Sequence, residues 1–373
     1  MRVLTVNTGS SSVKLRVLGA DDTPLATVDT VPDDVGPAVT ELLGDQPVDA
    51  VGHRVVHGGP HHVAPELVDD PLLADLRELV PLSRLHQPVA IAAIEAVREV
   101  RPDLPAVACF DTAFHAGLPE SARTYAVPQA WRDRFGLRRY GFHGLSYAGA
   151  SRRAAELLGR DDARLVVAHL GSGASLAAVR GSEPVDTTMG WTPLEGVVMA
   201  TRSGSVDPGI VLWLVGQGHL TADEVLDGID REGGLLALAG TKDMREVLER
   251  SAAGDPPAVL ALDVYLHRLV AGLAAMTAAL GGIDALVFTG GIGERSAELR
   301  RRAVAGLTFL GIDVDGGANE RLGGLDGIEG LDGEDAEITG PGSRARVLVI
   351  AAREDVEIAR GVRAALGRSS DRD

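Results

Sequence analysis

The sequence predicts an α/β protein built from two similar domains with a ligand cleft between them. Three observations carry this. An apolar strand, a Gly/Ser turn and a second strand occur twice, from Val3 to Val17 around Gly9 and from Leu165 to Val179 around Gly171. The two glycines stand about one domain length apart. Strand and helix patterns alternate along the chain, and 373 residues can bury a large core in two domains. Glycine lets each turn close tightly, and a Gly/Ser turn presents N–H and hydroxyl groups that suit a phosphate.

The elements follow in order. Residues 1–30 read as consecutive strands, turning at Gly19-Ala-Asp-Asp22. Gly36 to Leu43 has helical spacing, and Val48 to Val56 is a strand ending at the breaker His57-Gly-Gly-Pro60. Pro71 to Val80 and Pro88 to Val100 repeat apolar residues at helical intervals. Pro105 to Phe110 is a buried strand that stops at Asp111, and Ser146 to Leu158 is a helix at a candidate domain junction. After the second hairpin, Asp207 to Gly216 and Val259 to Leu280 read as helices. The latter aligns Leu262, Leu266, Leu269, Val270 and Leu273 on one side, as either a core helix or a dimer-interface helix. Ala285 to Thr289 is a strand, Gly290 to Gly293 a turn, and a helix follows from about Ser296. Residues 313–344 read as a surface excursion, Val347 to Ile350 as the last strand and Glu354 onward as a helix, with a disordered tail after Gly367.

Composition excludes several classes. Apolar residues make up 45% and charged residues 24%, as in soluble globular proteins. A net charge of −17 argues against nucleic-acid binding, and an anionic substrate then needs a locally basic site. One cysteine, Cys109, excludes an internal disulfide and a Cys-rich zinc site. The N-terminus enters a strand without a signal-peptide pattern, and Val259 to Leu280 is broken by Asp263, His267 and Arg268. The expectation is therefore a cytoplasmic protein that does not engage a membrane. Lys14 and Lys242 are the only lysines and neither follows Gly, so a Walker-A loop is ruled out.

Polar clusters appear where strand patterns stop. Arg54 lies in Gly52-His-Arg-Val-Val-His-Gly-Gly59, where a backbone can approach a ligand and a guanidinium can grip an anion at two points. His57, His61 and His62 lack helical spacing, which argues against a metal site. Asp111, at the end of a buried strand, can orient a substrate, repel a wrong one or cap a helix. Cys109 beside it reads as a packed residue. His143 in Tyr140-Gly-Phe-His-Gly144 and Arg202 in Thr201-Arg-Ser-Gly204 also stand on glycine-flanked loops. Gly291-Ile-Gly-Glu-Arg295 joins a strand to a helix, a place that favours anions or a nucleoside.

Taken together, these stretches resemble the acetate kinase family, within the actin-like, sugar-kinase and Hsp70-like ATPase superfamily. The likeness rests on Asn7-x-Gly-Ser-Ser-Ser-x-Lys14, the Gly52–Gly59 run, Phe110-Asp-Thr-Ala-Phe-His115 and Tyr140-Gly-Phe-His-Gly144. It continues through Thr192-Pro-Leu-Glu-Gly196, Thr201-Arg202, Gly291-Ile-Gly-Glu294 and Glu354, in order over nearly the whole chain. It implies duplicated actin-like (ribonuclease H-like) domains: residues 1–148 with 355–373, and residues 149–354, the latter carrying most nucleotide contacts and a homodimer interface. It further implies Mg²⁺ (or Mn²⁺) at Asn7 and Glu354. ATP or ADP contacts fall to Ser10, Ser12, Lys14, the turn His169, Leu170, Gly171, Ser172 and Gly173, the run Asp243, Met244 and Arg245, and Gly291, Ile292, Gly293, Glu294 and Arg295. Arg54 resembles the carboxylate holder, Asp111 the catalytic acidic residue, and His143 with Arg202 the pair that stabilises the transferring phosphoryl group. Val56, Leu85, Phe142 and Pro193 resemble the pocket for the acid's methyl group, and His86 a site histidine of open role. The chain departs from the family pattern at Ser172, Arg295 and Arg353, where Asn is usual, at Met244, where Phe is frequent, and in a short Ala20–Gly52 stretch.

The implied activity is direct in-line transfer of the ATP γ-phosphoryl group to acetate. Its alternatives are a propionate or butyrate kinase, and an actin- or chaperone-like nucleotide switch without small-molecule chemistry.

Overall fold

A computed structural model describes residues 1–9, 12–44, 47–322 and 334–370. It holds two six-stranded mixed sheets of the same topology. In the first, β1 (Val3–Thr8), β2 (Val13–Leu18) and β3 (Pro24–Thr30) form an antiparallel meander. β1 also runs parallel to β4 (Ala50–Val55), β4 parallel to β6 (Ala106–Phe110), and β5 (Glu66–Leu67) closes the edge antiparallel. The second sheet repeats this with β7 (Arg164–Leu170), β8 (Ala174–Arg180), β9 (Glu183–Thr187), β10 (Ala285–Thr289), β11 (Ala336–Glu337) and β12 (Arg346–Val349). Its order from the meander edge is β9-β8-β7-β10-β12-β11, so the duplicated sequence pattern is a duplicated sheet.

The central strands are covered on both faces, as near-continuous apolar runs require. The helix Glu354–Ser370 lays Ile358, Ala359 and Val362 on Val3, Ala50 and Val107 of the first sheet. The helix Gly144–Leu158 packs against both that helix and strands β7 and β10 of the second sheet. It therefore stands between the two sheets. The helix Pro256–Ala279 covers the other face of the second sheet through Leu262, Tyr265, Leu269 and Leu273.

Three sequence expectations change. Leu266 and Val270 are only partly buried at the margin of the core that Leu262, Leu269 and Leu273 fill, and they also line an outward groove of about 450 Å³ with His267 and Phe309. Gly290 to Gly293 is not a turn but the start of a short helix, Gly290–Arg295, followed by another, Ala297–Ala305. The last helix runs through Gly367 to Ser370. The 313–344 excursion contains the helix Gly316–Arg321 and the edge strand β11.

Candidate active site

Parallel strands deliver their last residues to one edge of the sheet, where α/β proteins place ligand chemistry. Here that edge supplies Asn7 from β1, Arg54 from β4 and Asp111 just past β6, and Glu354 joins them from the last helix. The Arg54 guanidinium donates to Asp111 Oδ2 from Nε (3.1 Å) and Nη2 (2.7 Å). Its Nη1 donates to Asn7 Oδ1 and Glu354 Oε2, both at 3.2 Å, and Asn7 Nδ2 donates to the same Glu354 oxygen at 2.8 Å. Burial opposes the guanidinium charge, but Asp111 and Glu354 outweigh it and hold Arg54 above its ordinary pKa. For Glu354, burial is outweighed by Arg54, His169, the Asn7 hydrogen bond and Lys14, so the carboxyl sits below its usual range. For Asp111, burial dominates and Glu354 adds to it against Arg54, so its carboxyl sits above its usual range.

A hard divalent cation takes oxygen ligands and keeps phosphates and waters in the rest of its shell. Asn7 Oδ1 and the Glu354 carboxylate are such oxygens, and Asp111 Oδ1 in the same cluster is buried without a hydrogen-bond partner among the described residues. The residues present fit a magnesium ion. His57, His61 and His62 do not gather: His57 Nδ1 accepts from Gly59 N–H at 2.9 Å, while His62 bridges Glu66 and Asp75.

The opposite wall comes from the second hairpin and its neighbours. His143 caps the helix Gly144–Leu158 with φ 58°, a left-handed conformation that costs a non-glycine residue about 1–3 kcal/mol. Gly144 is pressed against Asp111: its N–H donates to the Asp111 carbonyl at 3.0 Å, and a Cβ would lie 2.0 Å from that oxygen. His143 is thereby fixed beside the Arg54–Asp111 pair. Its Nδ1 meets Ser175 Oγ at 2.8 Å, and its ring stacks on His169 at 4.2 Å. Arg202 is buried; it donates to the Pro193 carbonyl at 2.9 Å and faces Asp230 at 3.8 Å. A Cβ on Gly173 would lie 3.2 Å from Arg202 Nη2 and 3.3 Å from His143 Nε2, so both groups point at this turn.

Electrostatics link the two walls. Burial first, then Arg202 and Arg54, pushes His86 down to about 3. Burial first, then His169, Arg54, Arg202 and His86, holds His143 well below its ordinary value. Both imidazoles are neutral at pH 7 and feel both arginines. Beside them, Val56 and Phe142 are buried in one apolar cluster, Pro193 is buried, and Leu85 is half-buried.

The nucleotide candidates divide by what they can offer. Lys14 is exposed on β2 opposite Asn7, and the Ser12 carbonyl accepts from Gly9 N–H at 2.8 Å; Ser10 lies outside the described residues. His169 Nδ1 meets Ser146 Oγ at 2.8 Å, Ser172 is exposed, and Gly171 N–H donates to the Gly173 carbonyl. Leu170 and Met244 turn their side chains into the core, because each is the apolar residue its element packs inward. This leaves both residues their backbones to offer a ligand. Asp243 caps the helix Met244–Ala252 and pairs with exposed Arg245 at 2.6 Å. Gly291, Ile292, Gly293, Glu294 and Arg295 form the helix after β10, with Gly291 and Arg295 exposed and Glu294 Oε1 accepting from Ala352 N–H. Arg353 pairs with Asp335 at 2.9 Å.

Residue-by-residue reading of the sequence did not single out Ser146, Tyr147, Ser175, Asp230 or Arg300. Arg300 is fully buried and donates to Asn319 Oδ1 and to the carbonyls of Gly293 and Glu294, pinning the short helix. It hides in Arg300-Arg-Arg302, which reads as a solvated face. Tyr147 stands four residues after His143, the spacing that places two side chains on one helix face.

The Acetokinase family model matches residues 38–360. The acetate kinase of Streptomyces coelicolor is 42% identical over all of this chain and 98% of its own length. That of Bacillus velezensis is 42% identical over 84% of this chain and 78% of its own. Among solved structures, Porphyromonas gingivalis acetate kinase is 32% identical with a TM-score of 0.85, covering 98% of this chain and 99% of that one. A propionate kinase from Francisella tularensis is 32% identical with a TM-score of 0.88, covering 96% and 98%.

Proposed function

The chain belongs to the acetokinase family, and we propose that it transfers the γ-phosphoryl group of ATP reversibly to acetate, giving acetyl phosphate and ADP. The observation that carries this is the convergence of Arg54, Arg202 and neutral His143 on one buried cleft in a chain of net charge −17. A short carboxylic acid has a pKa of about 4–5 and is already ionised at pH 7, so it needs no general base. The obstacle is the repulsion between an anionic nucleophile and an anionic phosphate. Arg54 offers the acid a guanidinium already ordered by Asp111. Arg202 and His143 aim donors at the Gly173 turn, where charge develops on the moving phosphoryl group. Val56, Leu85, Phe142 and Pro193 offer apolar surface to the acid's methyl group. Asn7 and Glu354 would hold Mg²⁺, which when bound neutralises phosphate charge.

The apolar helix Pro208–Gly216 leaves Ile210, Leu212 and Trp213 more than half exposed, and the groove on Pro256–Ala279 is also apolar. These faces support a homodimer, which we take to be cytoplasmic. Incubating the protein with ATP, Mg²⁺ and acetate, propionate or butyrate, and trapping acyl phosphate with hydroxylamine, tests the activity. Acetate is expected to give the highest kcat/KM; one methylene is worth about 1–3 kcal/mol in such a pocket. A preference for a longer acid would make this a propionate or butyrate kinase, and no product with any acid would refute the reading in favour of a nucleotide switch.

A further inference from the structure

We propose that Tyr147 and Ser175 are positioning residues that fix His143 as the Nε2–H tautomer, with that N–H aimed at the transferring phosphoryl group. This rests on the phosphotransfer reading above. Tyr147 is fully buried, and its Oη lies 2.5 Å from Ser175 Oγ. Ser175, also fully buried, lies 2.8 Å from His143 Nδ1. The three side chains therefore form a line from the core to the cleft.

Counting hydrogens gives the line its direction. Among the described residues, the partner of Tyr147 Oη is Ser175 Oγ, so the phenol hydrogen goes there or nowhere. The Ser175 hydrogen is then free to point at His143 Nδ1, which accepts it as a lone pair. That leaves the imidazole's single proton on Nε2. Nε2 is the ring atom that faces the Gly173 turn beside Arg202 Nη2. The reversed line would leave the buried phenol hydrogen without an acceptor and would present an Nε2 lone pair to an anion. Burial, His169 and the two arginines keep the ring neutral, so one tautomer or the other must be chosen. Stacking on His169, itself held by Ser146, keeps the ring plane from turning away.

The test uses the full-length enzyme with ¹⁵N-labelled histidine, the His143 signals being assigned by their loss in His143→Gln. The wild type is expected to show a protonated Nε2 and an unprotonated, hydrogen-bonded Nδ1. Ser175→Ala is expected to move the Nδ1 signal toward that of a free lone pair and to lower kcat about tenfold with KM for the acid unchanged. Ser175→Thr, which keeps the hydroxyl, should restore both. Tyr147→Phe preserves the packed ring and should lower kcat about threefold, the scale of one neutral hydrogen bond. A wild-type ring protonated on Nδ1, or full kcat in both Ser175→Ala and Tyr147→Phe, would overturn the proposal. A wild-type enzyme that makes no acyl phosphate would sink the phosphotransfer reading instead, while the tautomer measurement would still be readable.

Discussion

Buried neutral histidines should make this fold acid-labile well above the carboxylate range. His53, His57, His115 and His143 are all buried. Burial pushes His53 down to about 3 and, against weaker opposing contacts, His57 and His115 down to about 4; His143 lies well below its ordinary value. In the unfolded chain each takes up a proton near pH 6.5. Between pH 6.5 and about 4 the unfolded state therefore binds more protons, and stability falls as pH falls. From pH 7 to 5.5 each histidine contributes about 1.2 kcal/mol of loss, the four together about 5 kcal/mol, and His86 and His169, pushed down by burial to about 3 and about 4, add to it with the same sign. That is comparable to the whole stability of many proteins. Asp111, whose carboxyl is raised in the fold, acts with the opposite sign, as one group against the histidines. Urea unfolding followed by circular dichroism at pH 7.0 and 5.5 measures the difference. His53 supplies the internal control, because both of its ring nitrogens are buried without hydrogen-bond partners among the described residues. His53→Leu should remove about one sixth of the pH dependence. Equal urea midpoints at the two pH values would refute the reasoning.

Other perturbations act on packing and on the cleft. A Cβ on Gly52 would lie 2.4 Å from Ile358 and 2.6 Å from Val362, so Gly52→Ala should destabilise the fold by about 1–3 kcal/mol in urea titrations. Gly173→Ala crowds only the ends of Arg202 and His143; kcat should fall at least about tenfold while the melting temperature holds. Glu354→Gln removes the charge expected to hold magnesium and should raise the Mg²⁺ concentration for half-maximal activity at least about tenfold, read from an Mg²⁺ titration.

Legibility in the sequence followed the kind of signal each feature leaves. The two hairpins were readable because apolar strands bracket Gly/Ser turns, and their duplication extends to the whole order of both sheets. Arg54, His143 and Arg202 were readable as candidates because a charged or titratable side chain on a glycine-flanked loop lies where a ligand can approach the backbone. The helix Gln129–Phe135 left no trace, because it buries nothing and exposes Trp131 and Phe135. Pro208–Gly216 misleads in the other direction: its apolar run suggests a core, yet none of it is buried. Leu170 and Met244 turn their side chains into the core, an orientation that their motifs alone do not reveal. Arg300 and Ser175 act through partners 19 and 28 residues away, and spacing alone cannot pair them with Asn319 or Tyr147.

The central claim is that arginines from distant segments offset the repulsion between two anionic reactants. Rapid-quench measurement of acetyl phosphate formed in a single turnover by Arg202→Ala, alongside its melting curve, tests it most directly. The expected result is a rate about 10³-fold below wild type, partly restored by added guanidinium, with an unchanged melting temperature. A folded variant that turns over within threefold of wild type would contradict the account.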